Sequence, residues 1–108
     1  MKQSIEKLKP WGIRGSYVII PADVCRDAKI KLDDILYMYD HGGELQIRRV
    51  AEDMMSTAQN RACDPGSGNR DNIKLSIPKQ WCNHYGIKNG SLVNLQAMPW
   101  GVLLTVVK

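Results

Sequence analysis

A mainly β fold with two short helices, built from two tandem copies of one strand–helix–hairpin unit, is what the sequence predicts, and three observations predict it. The first is a repeat, which has to be sought before anything else because a missed one misreads the architecture. Pro21 and Pro78, each behind an apolar stretch (VII and LSI), lie 57 residues apart. Applied without a gap from Val18 to Val50, that offset also pairs Ile20 with Ile77, Cys25 with Cys82, Ile30 with Ile87, Lys31 with Lys88 and Val50 with Val107. That makes six identities in 33 positions, against roughly two expected by chance at ordinary composition. The second is that apolar character persists at Val18/Leu75, Val24/Trp81, Ala28/Tyr85, Leu36/Val93, Met38/Leu95, Leu45/Val102 and Ile47/Leu104, which marks these as core positions. The third is size. At 108 residues the chain is one compact domain, and half of it is too small to hold a core alone, so the copies must share one.

Each copy reads as strand, short helix, strand, turn, strand. Pro21 and Pro78 stand where a strand stops and a helix starts, because the first helical turn does not need the N–H that proline lacks. The helices are predicted over ADVCRDAK (22–29) and KQWCNHY (79–85). Val24 with Ala28, and Trp81 with Tyr85, fall four apart on one helical face, the face expected to point inward. Gly86 suits the left-handed residue that closes a helix, and Lys29 has to take that conformation in the first copy at some cost. IKLDDILYMY and IKNGSLVNLQ then each hold a tight turn and an alternating strand, with Leu36 and Met38, or Val93 and Leu95, on the core face. Tyr37, Tyr39, Asn94 and Gln96 fall on the other face. DHGG (40–43) and MPWG (98–101) are turn sequences that return the chain into ELQIRRV and VLLTVVK, completing a hairpin in each copy.

Between the copies, residues 51–72 read as a linker. Their first part could form a short helical turn, and DPGSGNRDN is loop composition. Such a linker spans on the order of 25 Å, which lets the copies pair within one chain at high effective concentration. The predicted organisation is therefore residues 1–50, a linker over 51–72, and residues 73–108, folded together.

Composition excludes several classes. Apolar residues make up 44% and charged residues 24% of the chain, ordinary for a globular protein and far from disordered or fibrous sequences. No run approaches a membrane span, and the basic start MKQSIEKLKP is not followed by an apolar signal core, so a cytoplasmic location is expected. Cys25, Cys63 and Cys82 are odd in number and form no CxxC pair, which argues against a disulfide framework and against a zinc site. The formal charge of +4 is unevenly spread: +2 over residues 1–50, −2 over 51–72 and +4 over 73–108.

The second copy, IKLSIPKQWCNHYGIKNGSLVNLQ followed by GVLLTVVK, resembles the AbrB/SpoVT pattern, in which a basic strand runs into Ile-Pro-Lys, a short helix, Gly-Ile-Lys-x-Gly and a final hairpin. The first copy resembles the N-terminal domain of MazE-type antitoxins through KPWGIRGSYVIIPADV. The resemblance covers nearly the whole chain apart from the linker. It implies a swapped-hairpin barrel formed by two ββαβ units, here a single-chain pseudo-dimer, with no exposed sheet edges. It also implies a DNA-binding transcriptional regulator that grips double-stranded DNA through basic residues on the first strands and their loops, mainly Lys/Arg to phosphate. Lys9, Trp11, Gly12 and Ser16 match the MazE-like stretch, and Lys74, four before Pro78, matches the AbrB-like basic position. Arg14 and Arg70 sit in the corresponding loops. The expected contacts are Lys7, Lys9, Arg14, Arg70 and Lys74. The sequence departs from the family at Ile19 and Ser76, where MazE-type domains carry an arginine two residues before the proline.

Two other readings stay open. An antitoxin-like module would bind a toxin or another protein, and Tyr37, Tyr39, Trp100 and Leu103 could form an apolar surface for it. Tandem ββαβ units also build double-psi barrels, some of them catalytic. The candidate groups for chemistry are thin. Cys82 and His84 lie two apart and His41 sits in a turn, but no metal set, no nucleophile with a base and no Gly-rich phosphate loop is visible. The sequence is therefore read as a non-enzyme without cofactor or metal.

Overall fold

The computed structural model describes residues 2–51, 58–65 and 72–107, and of Arg14 only the backbone. The chain begins with β1 (Gln3–Lys7) and β2 (Lys9–Pro10), separated by the buried Leu8. A 3-10 turn over Gly12–Arg14 leads into β3 (Ser16–Ile20), α1 (Ala22–Ala28), β4 (Ile35–His41) and β5 (Glu44–Arg48). Then come β6 (Ala58–Arg61), β7 (Ile73–Ile77), α2 (Lys79–His84), β8 (Leu92–Met98) and β9 (Gly101–Val106). The chain is mainly β, with two short helices, as its alternation and prolines predict. No helix among the described residues is long and apolar enough to cross a membrane.

The strands form two antiparallel sheets, a six-stranded one in the order β1-β8-β9-β5-β4-β6 and a three-stranded one in the order β2-β3-β7. Neither closes on itself. The closed barrel that the family resemblance implies is replaced by two open sheets around one core. Alternation explains how they share it: β3 and β7 each bury their first, third and fifth residues.

The repeat is visible in the registers. In β3·β7 the residue facing Val18 is Leu75, and 75 − 18 = 57. In β5·β9 the residue facing Gln46 is Leu103, and 103 − 46 = 57 again. Both seams between the copies are thus centred on equivalent residues, as an approximate two-fold relation requires. The outer strands obey the same relation, since β1 pairs with β8 of the second copy and β6 pairs with β4 of the first. The backbone of Leu8 exchanges hydrogen bonds with Ser91 and Gly90 (2.9 and 2.7 Å), and Ala62 does the same with Asp34 and Asp33 (2.9 and 2.8 Å).

β6 lies within residues 51–72, the stretch expected to be linker, and is the counterpart of β1. The helical turn expected in the first part of that stretch falls on residues outside those described. Here the offset is 54 instead of 57, because Leu8 corresponds to Ala62. Three extra residues between β6 and β7 hide this strand from an ungapped repeat.

One core cluster joins the copies. Among the described residues it takes eleven members from Leu8–Ile47 and twelve from Ala62–Leu104. Each large aliphatic side chain removed from water contributes about 1.5–3 kcal/mol, so neither half keeps its share without the other. The apolar pairs marked by the repeat are buried, with one correction. Tyr85, expected beside Trp81 on the inner face, is 38% exposed. α2 ends at His84, so Tyr85 no longer follows the helical face. Tyr39 departs in the opposite direction, being only 4% exposed although it sits on the outer face with Tyr37.

The left-handed residues expected just beyond the helices are found. Lys29 closes α1 at φ 60° where the second copy has Gly86 at 68°, and Asp33 stands at 71° where the second copy has Gly90 at 91°. A side chain in this conformation costs about 1–2 kcal/mol. The first copy therefore accepts two backbone strains that the second avoids.

Candidate nucleic-acid interface

The three-stranded sheet turns Val18, Ile20, Leu75 and Ile77 inward, so by alternation Tyr17, Ile19, Lys74 and Ser76 face outward. Lys9 joins them, because its β2 position pairs with Tyr17. The face is thus one row of Lys9, Tyr17 and Ser76 and a second of Ile19 and Lys74, with Cys63 bridged to Lys74 at its edge.

Lys74 is the centre of this face. Its ammonium lies 4.0 Å from the centroid of the Trp11 ring and 4.3 Å from that of Tyr17. The two rings meet edge to face at 5.5 Å and 76°. A cation over aromatic faces is attracted by their quadrupoles, and the clasp fixes a long side chain that would otherwise lose rotamer entropy on meeting a ligand. The loop that carries Trp11 is held by its N–H donating to the Gly15 carbonyl at 2.8 Å. Ile13 at the tip of that loop is 98% exposed.

The structure brings together only part of the expected set. Lys9 and Lys74 share the face. Lys7 is exposed but belongs to β1 in the six-stranded sheet, paired with Leu92 and separated from Lys9 by the buried Leu8. Arg14 has its backbone in the 3-10 turn beside Trp11, and Arg70 lies outside the described residues. Ser16, part of the MazE-like stretch, points inward and donates to Asn89 Oδ1 at 2.5 Å. Ile19 and Ser76, at the positions where MazE-type domains carry an arginine, face outward and add no charge to the face.

Sequence reasoning missed Tyr17 and Ile13. The signal for Tyr17 was available, since Val18 and Ile20 fix the inward phase of β3 and leave Tyr17 outside. The two copies also present different chemistry. Tyr17 corresponds to Lys74 and Ile19 to Ser76 at the offset of 57, and Lys9 corresponds to Cys63 at the offset of 54.

Elsewhere, one polar cluster involves Asp40. The Tyr85 hydroxyl donates to its carboxylate at 2.8 and 3.0 Å, and the Gly43 N–H does so at 3.3 Å. Loss of surrounding water works to raise the Asp40 pKa, but these hydrogen bonds outweigh it and hold the carboxyl below its ordinary value. The same bond to Asp40, reinforced by desolvation, raises the Tyr85 phenol above its ordinary value. A lowered carboxyl gives stability that is present above its unfolded pKa and lost as pH falls through the folded one. A raised phenol gives stability that is present below its unfolded pKa and lost as pH rises through the folded one. Melting curves of wild type and Tyr85→Phe should therefore differ most at neutral pH. They should converge below the carboxylate range and again above the phenol range; a constant gap from pH 2 to 11 would show that this pair does not carry the difference.

Cys25 and Cys82 are buried, and burial pushes the Cys82 thiol up, as expected of packing residues with little thiolate character. No group of three or more His, Cys, Asp or Glu suited to a metal ion occurs among the described residues. Comparison with protein-family models, with curated proteins and with solved structures found no match.

Proposed function

We propose that the chain is a small DNA-binding regulator of the AbrB/MazE type, in which two swapped-hairpin ββαβ units interleave as a pseudo-dimer and contact duplex DNA through the outer face of the three-stranded sheet. The observation that carries this reading is the seam centred on Val18 and Leu75, which sets Lys9 and Lys74, with the Trp11 loop, on one outward surface. Two strands meeting across an approximate two-fold relation suit the two-fold geometry of a duplex. Because Lys9 and Lys74 have Cys63 and Tyr17 as their counterparts, the preferred site is asymmetric.

Replacing Arg14 and Lys74 by Ala should weaken duplex binding and flatten its salt dependence, by roughly one unit of slope per lost phosphate contact. The measurement is a binding titration at several salt concentrations. Binding by the double variant with unchanged affinity and slope would overturn the reading.

A second reading, of an antitoxin-like protein-binding module, has its own observation. The outer face of the six-stranded sheet carries half-buried Tyr37 and Leu103, and the turn between β8 and β9 carries half-buried Trp100, with the Arg48 guanidinium 4.4 Å above its ring. Aromatic and Arg side chains of this kind anchor protein interfaces. Stoichiometric co-purification with one partner, lost on Trp100→Ala and retained on Lys74→Ala, would favour this reading over DNA binding.

A further inference from the structure

On the first copy a recess of about 470 Å³ opens between the end of α1 and the chain just after β5, lined by Cys25, Arg26, Lys29, Ile30, Lys31 and Arg49. Four of these six residues are cations and none is an acid. Arg49 lies at the boundary between this recess and a neighbouring one that holds Trp100, and its Nη2 donates to the Pro99 carbonyl at 2.6 Å, which fixes the guanidinium. A guanidinium held in place at the edge of a cationic recess offers an anion a charged donor of fixed geometry.

The fold does not require this charge, and the second copy shows it. At the offset of 57, Arg26, Lys29, Lys31 and Arg49 correspond to Asn83, Gly86, Lys88 and Val106, one cation in place of four. The equivalent scaffold packs instead around Tyr85, Ile87 and Val106, with Glu44 at its rim. Lys29 also holds a left-handed backbone conformation where the second copy has glycine. The exposed carbonyls at a helix C-terminus favour nearby cations, which accounts for Arg26 and Lys29. They do not account for Arg49, which the chain after β5 brings to the same recess.

We infer that this recess binds a multiply charged phosphoryl anion, with the Arg49 guanidinium as its directional donor and Lys29, Lys31 and Arg26 as surrounding cations. A planar guanidinium matches two phosphate oxygens, and lysine ammonium groups add charge without fixed geometry. None of these residues belongs to the Lys9–Lys74 face, so the site stands independently of the DNA-binding reading.

The test uses the full chain and the variant Lys29→Gly/Arg49→Val, which installs the residues that the second copy already tolerates. Pyrophosphate should raise the wild-type melting temperature and shift the Ile30 and Arg49 amide resonances, whereas sodium chloride at matched ionic strength should not. The folded double variant should bind pyrophosphate at least roughly tenfold more weakly. Equal stabilisation of both proteins, or an effect reproduced by chloride, would overturn the assignment. Duplex DNA titrated into the same two proteins identifies the source of the phosphate. A parallel loss of duplex binding points to a nucleic-acid backbone, and duplex binding that is unchanged points to a free phosphate-bearing molecule.

Discussion

Gly101→Ala should destabilise the protein by about 3 kcal/mol or more, the range seen when a well-packed interior is forced apart. Gly101 opens β9 immediately after the Pro99–Trp100 turn and faces Arg48 across the seam that joins the copies. A Cβ built on it would fall inside the contact radius of the Ile47 carbonyl oxygen and 3.2 Å from Arg48 Cα. These are backbone atoms of β5, so no rotamer change can relieve the clash, and β5 and β9 would have to separate. The backbone at φ 151° adds strain of its own. In a domain of this size the melting temperature should drop by roughly 15 °C. Gly42→Ala is the control, because Gly42 also has positive φ (66°) but open space around it, leaving only about 1–2 kcal/mol of backbone cost. Equal melting temperatures for the two variants would contradict the close approach of β5 and β9.

Much of the fold was legible because the repeat is ungapped from Val18 to Val50. That single offset marked the core pairs, placed both helices after their prolines, and singled out Lys29 as the strained helix end. The registers centred on Val18/Leu75 and Gln46/Leu103 are its structural counterpart. What escaped has physical reasons. β6 reads AQNR, with little apolar alternation, and three extra residues shift it out of phase with β1. Tyr39 and Tyr85 were assigned by periodicity, which gives the face of an element but not what covers it or where a helix stops.

The candidate sites were less legible than the fold. Lys9 and Lys74 are 65 positions apart in sequence (74 − 9 = 65) and share a face only because β3 pairs with both β2 and β7. The clasp of Lys74 by Trp11 and Tyr17 depends on the same pairing. Lys7 looked equivalent to Lys9, but the chain passes from one sheet to the other at Leu8. The cationic recess was invisible for a similar reason, since Arg49 joins Arg26, Lys29 and Lys31 only once the chain after β5 has come beside the end of α1.

The second large effect concerns the shared interior. Residues 1–50 alone would leave β3 without β7, β4 without β6 and β5 without β9, and would expose every apolar group that those strands cover. Residues 58–108 would lose the same seams in reverse, with β8 deprived of β1. The deciding measurement is to express residues 1–57 and 58–108 as separate chains and record their mass in solution, their amide spectra and their melting. Neither should exist as a folded monomer, and mixing them should restore a one-to-one complex with a single cooperative transition. A monomer of either fragment with dispersed resonances and a cooperative melt would contradict an interior that only the interlocked pair can close.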